Sequence, residues 1–176
     1  MFIVNTNCYR EYQMKKRSLK KDIFFLMLVI ITAAFFPSKT AADDSIPVNF
    51  RNLSGNWNLQ YGNNYGYNFK FYKNYRAVVV LYLNTNAIVF KGVYNIESSD
   101  SVRINVSEMK REESVKNINL KGGFIKAKTS HFIFNVKITS AGGKKNLEMR
   151  PQKIFIDGSD SDGYFEPYIK LEYTGK

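Results

Sequence analysis

Cysteine is almost missing from this chain: its 176 residues contain one, Cys8. Histidine and tryptophan also occur once each, as His131 and Trp57. A catalytic thiol, a disulfide framework or a zinc site built on Cys and His clusters is therefore excluded from residues 43–176. The Gly-X-Ser-X-Gly, P-loop and His-Glu-X-X-His signatures are missing as well. Acidic residues are few, 15 against 26 basic ones, which gives a formal charge of +11. A membrane-spanning apolar run is also lacking, because the longest, Ile23 to Phe36, has about 14 residues where a helix needs ~20.

That run belongs to a leader. Lys15-Lys-Arg-Ser-Leu-Lys-Lys21 precedes it, Pro37 ends it, and Thr40-Ala-Ala42 comes before Asp43-Asp44. A basic region, a short apolar region and a small-residue cleavage site describe a secretory signal peptide. Cleavage is expected after Ala42, so residues 1–42 are a leader and 43–176 one exported domain. Residues 1–13 form an upstream extension, with Met14 the better start. An uncleaved anchor helix is the alternative, and either reading exports residues 43–176 to the periplasm or the exterior. The leader holds seven basic and two acidic residues, leaving 19 basic against 13 acidic in the domain.

What the domain has is alternation. Trp57, Leu59 and Tyr61 share one face, and Asn56, Asn58 and Gln60 the other. Tyr67, Phe69 and Phe71 repeat the pattern, as do Ile88, Phe90, Tyr94 and Ile96, then Val102, Ile104 and Val106. Phe132, Phe134, Val136 and Ile138 follow, and Phe165, Ile169, Leu171 and Tyr173 close the chain. Side chains two apart on a strand point the same way, so each segment has a buried and a wet face. Ala77 to Leu83 is continuously apolar. Glu108 to Asn117 is the one mildly helical stretch, equally readable as a charged loop. Gly- and Asn-rich separators recur every ten to twenty residues, which suits an antiparallel meander and leaves no room for crossover helices. The expected fold is all-β: an up-and-down barrel of about 8 strands, with a β-sandwich as the alternative.

Leu53-Ser-Gly-Asn-Trp-Asn-Leu59 opens the first long strand. There it resembles the opening motif of the calycin superfamily of lipocalins, fatty-acid-binding proteins and avidins. The resemblance implies that Gly55 and Trp57 close the base of the barrel, Gly55 by close backbone approach and Trp57 as an apolar plug. The lipocalin Thr-Asp-Tyr motif is absent. Lys170 is the nearest substitute for the late Arg that covers the Trp in that family. From Trp57 to Tyr61 the strand climbs ~13 Å at ~3.3 Å per residue. The 62–66 loop then falls at the mouth, with Tyr65 as a lid. Leu59, Tyr61, Tyr67 and Phe69 become the expected contacts of a small apolar ligand, against the plainer reading of a surface hairpin whose aromatics cover the core.

Other constellations are weaker. Asp157-Gly-Ser-Asp-Ser-Asp-Gly163 has calcium-like residues but fails the EF-hand spacing, so it reads as a turn, and no metal is assigned. His131 lacks a partner nucleophile or carboxylate in any motif, and Glu112-Glu113 sits beside Lys110 and Arg111. No catalytic residue and no cofactor are expected. The bases Lys70, Lys91, Arg103, Lys126, Lys128 and Lys137 are spread at strand spacing, which suits a wet sheet face better than a nucleic-acid site. An anionic membrane or envelope surface fits such a face better. The expected function is a secreted or periplasmic lipocalin-like binding protein for a small apolar ligand. The alternative is a non-catalytic envelope protein that holds a partner by an aromatic and basic surface.

Overall fold

The computed structural model of the protein describes residues 44–62, 64–161 and 163–175. The expected leader, with its 1–13 extension, lies outside the described residues, as does Asp162 of the acidic turn. The elements follow in order: β1 (Asp44–Ile46), α1 (Phe50–Leu53), β2 (Gly55–Tyr61), β3 (Tyr65–Phe71), β4 (Arg76–Leu83), β5 (Asn86–Ser98), β6 (Ser101–Glu112), β7 (Ile125–Ala141), β8 (Lys144–Ile156), β9 (Ser159–Asp160) and β10 (Ile169–Gly175). Among the described residues no helix is long and apolar enough to cross a membrane.

Strands β2 to β8 form an antiparallel meander, and β10 pairs with β8 on one side and β2 on the other. The ring is a closed eight-stranded barrel rather than a sandwich. β1 pairs with Ile138–Ser140 of β7, beyond the point where β6 begins opposite Asn135. β9 pairs with Phe155 and Ile156, beyond the reach of β10. Both short strands thus cover edges that the staggered long strands would leave unpaired.

The alternating apolar face fills the interior with Trp57, Phe69, Phe90, Ile104, Phe132, Phe134, Ile138, Leu147 and their neighbours. Bulges keep the long strands in phase with it, among them one in β6 and one in β8. Ser107 is an extra residue of β6 opposite the Lys91–Gly92 step. Before it Val106 faces the core; after it Met109 does, and Lys110 turns outward. Without the bulge, unbroken alternation from Val106 would point Lys110 into the barrel, since a one-residue slip exchanges the two faces. Gly92 permits the kink, because a Cβ there would lie 2.0 Å from the Asn105 carbonyl oxygen. β8 makes the same adjustment at Gln152, beside Pro151, with Leu147 and Met149 inward before it and Ile154 and Ile156 after. Pro151 therefore sits at a bulge within one strand.

The stretch expected to be mildly helical is the end of β6 and the start of a long loop, 113–124. Ile118 and Leu120 lie in that loop. The loop folds back as a strap over the outer face of β4 and β5. There Val115, Ile118 and Phe124 cover Val78, Val80, Ala87 and Val89. The continuous apolar run of β4 is thereby explained: Ala77, Val79 and Leu81 face the core, and Val78 and Val80 face the strap. Lys110, 6% exposed, pins the strap. Its ammonium donates to the Asn119 and Gly122 carbonyls, pairs with Glu112, and lies 4.6 Å from the Phe124 ring centre. Lys91 donates to the Leu120 carbonyl at 2.7 Å and sits over the same ring.

Candidate ligand site at the barrel mouth

The meander puts the 62–64 and 84–85 turns, the strap and the 157–168 segment at one end, here the mouth, and α1, the 72–75 turn and the 142–143 turn at the other, the base. Trp57 is fully buried at the base. Its indole N–H donates to the Leu53 carbonyl at 2.7 Å, which ties α1 across that end. Gly55 has φ +140°, and a Cβ there would meet the Tyr173 ring at 2.3 Å. The cation over Trp57 is Lys145, 5.2 Å from the indole and 5.3 Å from the Tyr173 ring. Lys170, expected in that place, faces out and pairs with Glu148 at 3.7 Å. Leu171, its neighbour on β10, takes the inward position.

At the mouth the expected ligand residues meet the chain's own Phe165. This residue is not on the last strand, as the alternation suggested, because β10 begins only at Ile169, after Pro167. Phe165 instead reaches from the connecting segment into the barrel and is 6% exposed. Its ring lies 5.2 Å from Phe134, 5.3 Å from Phe132, 5.9 Å from Tyr67 and 6.0 Å from Phe69, stacked on Tyr67 and edge-on to the first two. Glu166, the next residue, fixes the segment to the rim. The Tyr61 hydroxyl donates to its carboxylate at 2.9 Å, and its backbone N–H donates to the Tyr67 hydroxyl at 3.2 Å. Tyr61 is 46% exposed, Leu59 is half-buried against the core, and Phe69 is fully buried. Tyr65 is half-exposed on the rim, paired between Tyr61 and Leu83. The side chain that reaches over the interior aromatics is Phe165.

These contacts perturb the phenols. The hydrogen bond to Glu166, then burial and the carboxylate's charge, raise the Tyr61 pKa above its ordinary value. Burial is the main cause of the same shift at Tyr67. Beside the plug a 320 Å³ cavity opens to solvent, lined by Leu81, Leu83, Ile88, Arg111, Gly163 and Tyr164. It is a vestibule with apolar walls and one cation.

The remaining expectations resolve locally. Asp157 spends one carboxylate oxygen on the Lys128 backbone N–H at 2.8 Å. His131 stacks on Phe155 at 5.3 Å on the outside of the barrel, and burial followed by the charges of Arg103 and Lys153 lowers its pKa. Among the described residues no three His, Cys, Asp or Glu side chains converge as metal ligands would. Sequence reasoning missed Glu166 and the role of Phe165. The signal was an aromatic just before a proline, in a segment otherwise made of Asp, Ser and Gly. No family model, curated protein or solved structure matches the chain.

Proposed function

We propose that the protein is an exported, non-catalytic binding protein of calycin type, which takes a small apolar ligand into the place Phe165 fills. The observation that carries this reading is the origin of the plug. The ring at the centre of the aromatic cluster comes from a connecting segment, held by two hydrogen bonds at a half-exposed rim. Side chains on paired strands cannot leave a core without breaking the sheet, whereas a segment without strand pairing can swing away. The slot it would vacate is walled by Tyr67, Phe69, Phe132 and Phe134, and a flat ring or a short branched chain matches it in size and polarity. An apolar slot of this kind stays dry and accepts benzene-sized guests. The vestibule gives such a ligand a first resting place, with Arg111 able to meet an acidic group on it. Neither step involves a bond broken in the ligand. The leader supports export, and the Gly55–Trp57 opening on a closed barrel supports the calycin kinship.

The test is a titration of an apolar fluorescent probe against the wild type and Tyr61→Phe. Removing one latch hydrogen bond of ~0.5 kcal/mol raises the population with Phe165 displaced, and the apparent affinity should rise about twofold with it. A probe bound equally by both proteins, or by neither, defeats the reading.

A further inference from the structure

The base of the barrel carries a second feature, independent of what the interior holds. Four cations meet there: Arg51 on α1, Lys70 at the end of β3, Lys73 in the following turn and Arg76 at the start of β4. Three adjoining cavities of 580, 430 and 350 Å³ run between them, the second sharing Tyr72 and Asn74 with the first and Ser54 and Lys73 with the third. No carboxylate lines the 430 and 350 Å³ cavities. Among the described residues none of the four cations forms an ion pair. Of the acids elsewhere at this end, Glu97 is engaged with Arg103, Glu172 with Lys144, and Asp100 with Ser98 and Asn135; Asp44 is exposed on β1, and Glu108 lines the 580 Å³ cavity. Aromatic rings stand exposed among the cations. Phe50 is 39% exposed and Tyr75 50%, their rings in edge contact at 4.5 Å. Tyr75 is held at φ +64°, outside the comfortable range of a bulky residue, at the tip of the turn that presents it.

We propose that this face docks on an anionic phospholipid surface, with Phe50 and Tyr75 entering the headgroup layer and the four cations meeting phosphates. Unpaired Lys and Arg around exposed aromatics form the combination that interfacial binding uses, since rings favour the headgroup level and each cation adds attraction to anionic lipid. A soluble polyanion would use the cations and leave the exposed rings without a role. The cavities between the cations have room for headgroup phosphates.

Co-sedimentation of the full chain with vesicles tests the assignment, comparing phosphatidylcholine alone with phosphatidylcholine containing a minority of phosphatidylglycerol. Arg51→Gln with Lys73→Gln should weaken partition onto the anionic vesicles about 25-fold, at about fivefold per charge. Lys126→Gln with Lys128→Gln, exposed at the mouth end, changes net charge equally and should leave partition nearly unchanged. The leader is common to all three proteins, so only their difference is read. Lys70→Gln with Arg76→Gln repeats the loss should the first pair disturb α1. Three results would overturn the proposal: equal losses in the base and mouth variants, equal binding to neutral and anionic vesicles, or release by inorganic phosphate at constant ionic strength. The last would assign the site to a small free anion.

Discussion

Replacing Phe165 with alanine removes the ring from the centre of the aromatic cluster and leaves the segment's own backbone contacts in place. The ring is almost fully buried and touches four aromatic neighbours, so its loss belongs to the large-to-small class that costs about 3–5 kcal/mol. The segment carries no strand pairing at residues 163–168 and can settle partly into the gap, which places the expected loss near the lower end, about 3 kcal/mol. For a domain of this size the melting temperature then falls by roughly 10 °C. The slot is now vacant, and a benzene- or indole-sized compound should fill it. At a free concentration a hundred times its Kd, such a compound restores about 2.7 kcal/mol, most of what was lost. The wild type, with its slot filled, should gain far less from the same compound. Thermal or urea unfolding of both proteins, with and without the compound, gives all four numbers. If Phe165→Ala loses less than about 1 kcal/mol, Phe165 is not a core element. If the compound stabilises both proteins equally, it binds elsewhere and the plug argument fails.

Two further outcomes follow from other parts of the barrel. Lys110→Met keeps the apolar stem but deprives the Asn119 and Gly122 carbonyls of their donor, at an expected cost of about 2 kcal/mol, with faster proteolysis inside 113–124; exposed Lys121→Met should do neither, and an intact strap in the Lys110 variant would refute the pinning role. Burial raises the pKa values of Tyr67, Tyr82 and Tyr94 above the free value of about 10, so the unfolded chain loses these protons first. Stability should therefore be level below about pH 10 and fall as pH rises toward the folded-state values, with Tyr67→Phe flattening the fall; an unchanged slope of urea midpoint against pH in that variant would remove Tyr67 from the account.

The strands were legible because alternation is a local property. Trp57-X-Leu59, Phe69-X-Phe71 and Phe132-X-Phe134-X-Val136 each declare a face within a few residues, and the spacing of their separators excludes helical crossovers. Whatever depended on a count of one was not legible. The extra residues Ser107 and Gln152 shift the phase of β6 and β8, and the sequence marks only the second, by Pro151 beside it. Glu108 to Glu112 therefore resembled a polar helix or loop, although Met109 faces the core and Lys110 lies under the strap. Partners distant in sequence were equally hidden. Lys145 and Lys170 are both lysines on strands near the end of the chain, and only the β8–β10 register places the first over Trp57. The end of the barrel at which the 62–66 loop falls was placed from strand one alone. Its occupant came from 100 residues away and could not be read there.

A filled interior and the proposed binding function are reconciled by the cost of emptying it. Withdrawing Phe165 exposes one large aromatic side chain, about 3 kcal/mol of apolar burial, and breaks two rim hydrogen bonds worth about 1 kcal/mol together once water replaces them. The open state is then lower in population by roughly three orders of magnitude, and any ligand's affinity is reduced by the same factor. A guest that would hold an empty slot at nanomolar Kd holds this one near micromolar. That penalty selects for ligands larger than the plug, because a guest that only replaces the Phe165 ring gains no burial over it. A ligand that fills the slot and also extends into the vestibule, along Leu81, Leu83 and Ile88 toward Arg111, recovers the difference. The geometry therefore favours an elongated guest, apolar along the part that enters and polar or acidic at the end left in the mouth, over a compact hydrocarbon that the Phe165 ring already outcompetes.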